Sequence, residues 1–398
     1  MNTVYLVKVD PAENNNKFYR MIDNGSGTFT VEYGRIGNDN FATFDYSMSE
    51  WDKKYNEKLR KGYTDQSQLY AVPAPLSQKS TKKLAISNSQ IASLVEQLMA
   101  YAKRSIRDNY TIDSRIVTES MIKTAQDIIF DLHATSDIAN FNRSLVTLFT
   151  VIPRKMSNVA DNIAHDPHGL DRILRREQDL LDVMRGQVAV QEIQGDNIDT
   201  QDNQSILEAL GLEIENTNDS DRISILKNAG ELSGKVYNSW RVKNKKTQEN
   251  YRKFVKEAEV NKELELWHGS RNENWWGIVN EGLLLRPNSA ITGKMFGYGI
   301  YFAPSSKKSY GYTSCQGSYW ARGNSPTGYM GIFNVAYGKP LDVYSHSNSL
   351  SSMTYESLKK QNPNAHCVHA HAGNMLYNDE IIVYNESQTT IKYLVEFR

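Results

Sequence analysis

The sequence predicts a multidomain α+β protein, with a small β-rich part first, an all-α bundle in the middle and a mixed β-sheet part at the end. Three observations predict this order. Between Val4 and Tyr33, β-branched and aromatic runs of strand length alternate with polar turns. From Ile91 to Met184, apolar residues recur at helical spacing. From Leu266 to Tyr384, three stretches have strand character on one side and a polar or glycine-bearing kink on the other, the usual way a sheet edge presents side chains for chemistry. A chain of 398 residues also exceeds one ordinary domain of roughly 100–200 residues.

Composition narrows the function classes. The formal net charge is zero, so no global field attracts nucleic acid or an anionic membrane, and any such binding must come from a local patch. Cys315 and Cys367 cannot build a disulfide framework, which fits a reducing intracellular compartment. Met1 to Lys8 lacks the basic and apolar regions of a secretory signal, and no window approaches the ~18 consecutive apolar residues of a membrane span. A soluble, intracellular protein with no membrane partner is expected.

In the N-terminal part, Val4 to Val9 stops at Asp10-Pro11, Lys17 to Ile22 stops at Asn24-Gly25, and Phe29 to Tyr33 runs into Gly34-Arg35-Ile36-Gly37. From the residues alone, the last is an ordinary glycine turn with a solvated arginine. Tyr33-Gly34-Arg35 also resembles the name-giving Trp-Gly-Arg of the WGR domain, a small β-sheet module of the DNA-damage-responsive polymerases. Lys58 to Tyr63 closes a predicted helix from Trp51 as that module does. The resemblance implies that residues 1–75 bind DNA strand breaks at 5′-phosphorylated ends, with Tyr33 packing on sugar and Arg35, beside Gly34, near phosphate. A planar, permanently charged fork suits that task. Tyrosine keeps a ring but lacks the area and the N–H of tryptophan. Residues 1–80 carry ten basic and ten acidic side chains, which does not favour tight nonspecific binding.

A linker rich in Pro, Ser and Lys follows from Ala71 to Lys83. Beyond it, Ile91, Leu94, Val95, Leu98 and Ala102 form one helical stripe, and Ile122, Ala125, Ile129 and Leu132 form another. Leu145 to Ile152 continues until Pro153 stops it, and Leu170 to Met184 adds a further stripe, so a bundle core over residues 86–190 is expected. Its place upstream of a His-Gly-Ser-Arg stretch resembles the regulatory helical domain of the same polymerases, which hinders NAD entry until a break is bound. Leu180-Leu181-Asp182 matches a Leu-Leu-Asp of their gating helix, which implies a regulatory role for Asp182. Val183-Met184-Arg185-Gly186 departs from the pattern. Gln191 to Asn203 reads as a polar connection.

The last part carries the chemistry. Gly293-Lys294 lacks the spacing of a P-loop, and Gly297-Tyr298-Gly299 lacks the third glycine and the βαβ setting of a dinucleotide fingerprint. His366, Cys367, His369 and His371 have metal-ligand chemistry. No second cluster completes a tetrahedral set in the sequence, so they are read as structural or surface residues and no metal is assigned. Taken singly, His268 is an ordinary packed or surface histidine and Glu380 an ordinary solvent-facing glutamate.

The ordered set of His268, Tyr301 and Glu380 with their surroundings resembles the catalytic signature of the poly(ADP-ribose) polymerases, and this resemblance covers roughly Ser205 to Phe397. It implies an ADP-ribosyltransferase domain over 203–398 that uses NAD as co-substrate without a metal. Cleaving nicotinamide from NAD passes through an oxocarbenium-like ribose, so such a site must grip the leaving group, orient both riboses and place a carboxylate near the developing charge. His268 matches the histidine on the adenosine-side ribose, with Ser270 and Asn274 in the same pocket. Gly269 matches the glycine whose backbone clamps the nicotinamide amide, and Ser309 its hydroxyl partner. Tyr312 and Tyr301 match the aromatics on either face of nicotinamide. Glu380 matches the glutamate of polymer elongation, Lys308 precedes Ser309 as in the family, and Met295-Phe296-Gly297 matches the border of the acceptor site. Two departures stand out: a shortened Leu285–Lys294 loop, with Lys294 replacing an aromatic, and Asp379 beside Glu380.

The implied activity is DNA-break-activated transfer of ADP-ribose to acceptor proteins, including the enzyme itself, followed by polymer growth. Two alternatives stay open: a DNA-independent mono-ADP-ribosyltransferase or NAD glycohydrolase, and a non-catalytic DNA-end scaffold. Nuclear residence in a eukaryotic host, or residence in the cytoplasm or nucleoid of a bacterium, follows from the same reading. Arg241 to Lys246 is basic enough for an import signal and is read as a solvated helix face.

Overall fold

The computed structural model describes residues 2–38, 40–67, 86–111, 117–133, 135–195, 205–285, 295–318, 321–373 and 376–398. The linker expected at 71–83 and most of the 285–294 loop lie outside them. The chain divides into two compact units: Met1–Thr81 with Arg104–Gly195, and Lys82–Lys103 with Asp196–Arg398.

The first unit opens with strands β1 (Thr3–Asp10), β2 (Asn15–Asp23), β3 (Thr28–Arg35) and β4 (Ala42–Ser47), helix α1 (Trp51–Arg60) and the short strand β5 (Thr64–Asp65). They form an antiparallel sheet in the order β4-β3-β2-β1-β5. Alternation places Val4, Leu6, Tyr19, Met21, Phe29 and Val31 in one core, against which Trp51 and Tyr55 of α1 pack. Strand β4 alternates Ala42, Phe44 and Tyr46 with polar residues, but it is short and its side chains are mostly exposed, which leaves it a weak strand signal beside the buried runs.

Helix α2 (Ser89–Asn109) is divided between the units, and α3 (Glu119–His133), α4 (Ile138–Val151) and α5 (Pro167–Gly195) belong to the first. Every residue of the predicted stripes is buried. Asp137 caps α4 by accepting from the Asn140 N–H, and α4 ends just before Pro153. Helix α5 extends to Gly195, past the start of the polar connection expected from Gln191. The Gln-Glu-Ile-Gln run is made mostly of good helix formers, and low hydrophobicity does not forbid a helix.

Within this unit, Arg154 and Glu177 form a buried ion pair at 3.3 Å, with side chains only 5% and 2% exposed. The Tyr110 ring lies 4.7 Å from the Arg154 guanidinium carbon. Removing one partner strands a buried charge, so Glu177→Ala is expected to cost roughly 3–5 kcal/mol and lower the melting midpoint by about 6 °C or more, as read by thermal circular dichroism.

The second unit continues with α6 (Ile206–Ala209), β6 (Leu212–Asn216), α7 (Asp219–Ala229), β7 (Val236–Asn244), α8 (Lys245–Glu257), β8 (Glu263–Gly269), α9 (Trp275–Glu281), β9 (Ile300–Phe302) and α10 (Ser306–Tyr310). After the two-residue strands β10 (Gly317–Ser318) and β11 (Ala321–Arg322) come β12 (Gly328–Ala336), β13 (Pro340–Val343), α11 (Tyr355–Gln361), β14 (Cys367–Ala370), β15 (Glu380–Val383) and β16 (Thr389–Phe397). One antiparallel sheet runs β6-β7-β16-β12-β8, and a mixed sheet runs β13-β14-β15-β9. Within the mixed sheet β13 and β14 are parallel.

Arg241 and Lys243 lie on β7 and not on a helix face, and their charges are paired. Arg241 contacts both carboxylate oxygens of Asp221 at 2.7 Å, and Lys243 reaches Glu213 at 2.7 Å. A β7 register in which Ile214 sits opposite Val242 buries the apolar side of the segment and leaves the basic residues facing acids.

Candidate active site

The two sheets of the second unit meet where β8 passes β9. Trp267 and Ala303 exchange N–H···O bonds, both 3.0 Å, so the end of β8 is held beside the end of β9 by main chain alone. His268 follows at once, and its Nδ1 lies 3.0 Å from the Tyr301 carbonyl oxygen. A carbonyl only accepts, so the proton sits on Nδ1 and Nε2 is an acceptor. Burial pushes the His268 pKa down and keeps the ring neutral, although the Tyr301 carbonyl opposes this. Phe302 and Phe333 present their rings at steep angles to it, 5.8 and 6.0 Å away.

Gly269 ends β8 against the α10 backbone. A Cβ there would stand 1.9 Å from the Ser309 carbonyl oxygen, so only glycine permits this approach. Ser309 is buried and donates its hydroxyl to the Trp267 carbonyl at 3.1 Å. Ser270 accepts from Asn274 Nδ2 at 3.0 Å, while Asn274 Oδ1 is buried without a hydrogen-bond partner. His268, Gly269, Ser270, Ser309 and Asn274 are thus brought together by one strand end, one short helix and the turn after β8.

Tyr301 stands opposite Ile382 in the β9–β15 pairing. Its hydroxyl donates to the Gly297 carbonyl at 2.9 Å and accepts from the Phe296 N–H at 3.2 Å. Burial pushes its pKa well up, and Glu380 and Tyr312 are close enough to add to that shift. Glu380 opens β15, is nearly buried, and pairs with Lys308 Nζ at 2.5 Å. Tyr312 is 53% exposed, which leaves ring surface open to stacking. Tyr384, read in the sequence only as the end of the Glu380-to-Tyr384 motif, donates its hydroxyl to the Phe296 carbonyl at 2.5 Å and so holds the turn that holds Tyr301. Its period-two spacing from Glu380 and Ile382 was the available signal.

Asp379 turns away from this ion pair. Its Oδ1 accepts from the Ala372 N–H at 2.7 Å, and its Oδ2 lies 2.9 Å from His369 Nε2. Burial opposes its charge, yet the Ala372 N–H and the His369 ring hold the carboxyl below its usual range. The histidine cluster splits. His366 is structural, accepting from the Lys339 N–H at 3.0 Å on Nδ1 and meeting the Ala258 carbonyl at 2.9 Å on Nε2. His369 and His371 share the other face, with ring centroids 3.9 Å apart.

The residues expected to meet DNA lie in the first unit and divide by direction. Tyr33 is 39% exposed and stacks between Tyr19 and Phe44, both at 6.0 Å, with Lys58 Nζ 5.7 Å from its ring centroid. Gly34 fits closely under Phe41. The Arg35 guanidinium is bound to protein: it donates to the carbonyls of Asn14 (2.8 Å), Met156 (3.0 Å) and Ser157 (2.9 Å) and to Asn14 Oδ1 (3.1 Å). Asp182, on α5, accepts from Gln178 at 2.8 Å. Among the described residues, no helix is long and apolar enough to cross a membrane.

A family model of the poly(ADP-ribose) polymerase catalytic domain matches residues 224–398, and one of the WGR domain matches residues 2–69. The chain is 23% identical over 463 aligned positions to poly [ADP-ribose] polymerase 2-A of Oryza sativa subsp. japonica, covering 96% of this chain and 68% of that protein. It is 30% identical to a putative poly [ADP-ribose] polymerase-like protein, 100L, of Invertebrate iridescent virus 6, covering 40% of this chain and 85% of the viral one. To poly [ADP-ribose] polymerase 2 of Homo sapiens it is 33% identical, over 33% of this chain and 26% of the human one. With a β-rich N-terminal sheet, a helical region and a mixed-sheet catalytic part in this order, the chain belongs to the poly(ADP-ribose) polymerase family and is an NAD+ ADP-ribosyltransferase.

Proposed function

We propose that the chain is a DNA-break-activated polymerase, which moves ADP-ribose from NAD to protein side chains, including its own, and then extends the polymer. The observation that carries this reading is the Lys308–Glu380 ion pair beside Tyr301 and His268, a lysine-oriented carboxylate held at the pocket edge. In this reading the Gly269 backbone and Ser309 hold the nicotinamide carboxamide, and Tyr312 and Tyr301 stack on its ring. His268 through Nε2, Ser270 and the unpartnered Asn274 Oδ1 hold ribose hydroxyls. The glycosidic C–N bond breaks and nicotinamide leaves with its electron pair. Glu380 stabilises the ribose cation and accepts the proton of the incoming hydroxyl as its oxygen bonds to the anomeric carbon.

The three expected domains, 1–75, 86–190 and 203–398, serve as sensor, regulator and transferase in this reading. DNA-end contact falls to the exposed ring of Tyr33, extended by Phe44 (49% exposed) and flanked by Lys58. Arg35, bonded to the Met156 and Ser157 carbonyls, ties the sheet to the segment between α4 and α5 instead of meeting phosphate. Asp182 on α5 is assigned the regulatory role. Incubation with labelled NAD, with and without a nicked 5′-phosphorylated duplex, followed by a denaturing gel, tests the whole. A DNA-dependent ladder is expected. Tyr33→Ala should reduce stimulation by DNA about 5-fold or more, since stacking on one aromatic contributes roughly 1–3 kcal/mol, and should leave basal labelling unchanged. Equal labelling without DNA would remove the break-sensing role, and one added unit per site would remove elongation.

A further inference from the structure

Outside the transferase pocket, the far end of the mixed sheet gathers side chains with the chemistry of a metal site. Asp342 on β13 sits directly opposite His369 on β14, because the two strands pair in parallel register. His371 follows two residues later on the same face. One donor atom from each of Asp342, His369 and His371 lies within 4.8 Å of the others. His371 Nε2 is 2.7 Å from Asp342 Oδ1. These residues border a solvent-accessible depression of about 580 Å³, which has room for water ligands.

We propose that Asp342, His369 and His371 bind a divalent first-row transition-metal ion, with zinc the expected occupant. Two imidazoles and a carboxylate are the donors that zinc takes at about 2.0–2.2 Å, with a further position left to water. Those bond lengths give ligand–ligand edges of roughly 3.0–3.5 Å, so the observed cluster needs only small rotations to close around an ion. The surroundings match what such ligands require. The charged Asp379 carboxylate can only accept, so the His369 proton sits on Nε2 and Nδ1 is the nitrogen left to bind metal; Nδ1 now lies 2.8 Å from Tyr337 Oη, a hydroxyl that an ion would displace. His371 is held between His369 and the Tyr344 ring, whose centroid is 4.4 Å away, so its orientation is set by stacking. Asp379 accepts the His369 Nε2–H at 2.9 Å, the carboxylate support that fixes the orientation of a ligating imidazole and raises its basicity. Because Asp379 immediately precedes Glu380 at the start of β15, an ion here also pins the segment that enters the transferase pocket.

The test uses the full chain, stripped with a chelator and titrated with zinc chloride in a calorimeter. One saturable site per chain is expected, weakened at least tenfold in His371→Ala and in the near-isosteric Asp342→Asn. His346→Ala, whose ring bonds Ser351 instead, should bind as the parent does. Cobalt loading of the parent should produce visible d–d absorption that Asp342→Asn loses. Circular dichroism confirms that each variant is folded. No saturable uptake by the parent, or uptake unchanged in both cluster variants, would overturn the assignment.

Discussion

Glu380→Gln is expected to abolish polymer growth, lowering elongation by roughly 100- to 10,000-fold while leaving some nicotinamide release. The substitution keeps the shape and one acceptor for Lys308 but removes the charge that, in the proposed mechanism, both stabilises a ribose cation and takes a hydroxyl proton. Its surroundings sharpen the expectation. The carboxylate is almost buried and its ion-pair partner is only 17% exposed, so water cannot replace the lost charge readily. Product length on a denaturing gel, with nicotinamide release measured in parallel, reads the two effects separately. Polymer of normal length would sink the assignment of Glu380.

Gly269→Ala is expected to be the most damaging single-methyl change in the catalytic part. The added carbon would lie 1.9 Å from the Ser309 carbonyl oxygen and 2.8 Å from its carbon, and both are backbone atoms. Helix α10 must therefore move, carrying Ser309 and Lys308 away from β8. Overpacking of this kind costs about 1–3 kcal/mol or more, and a displacement of only ~1 Å in a positioned site can lower turnover about 100-fold. Gly234→Ala provides the contrast, since nothing lies within 4 Å of a Cβ there. Melting midpoints and nicotinamide release for the two variants check this, and normal turnover in Gly269→Ala would refute the close approach.

Much of the candidate site was legible because its local surroundings are written into short stretches of chain. Trp267-His268-Gly269 is a strand ending on a residue without a side chain, and Glu380 to Val383 is a strand opening on a carboxylate, so the strands could be read from period and composition while the roles of His268 and Glu380 came from the family resemblance. The helical stripes were equally readable, because burial at every third or fourth position is the same constraint that writes the sequence. Strand β4 is short and mostly exposed, and the C-terminal extension of α5 is polar, so neither stood out from a loop in the sequence.

The sequence by itself determined the order of parts and the family, because both depend on local motifs, and it named His268, Gly269, Ser270, Asn274 and Ser309, which the fold brings together. Tertiary structure alone decided how long-range partners use their atoms. It turned the Arg35 donors onto the Met156 and Ser157 carbonyls, paired Lys308 with Glu380, and aimed Asp379 at His369 instead of at its neighbour. It also laid β13 beside β14 in parallel, which delivers Asp342 to two histidines far along the chain. No spacing rule reports such a meeting. Hydrogen-bond partners and metal ligands are chosen by distance in space, and strand register sets that distance only once the sheet is assembled.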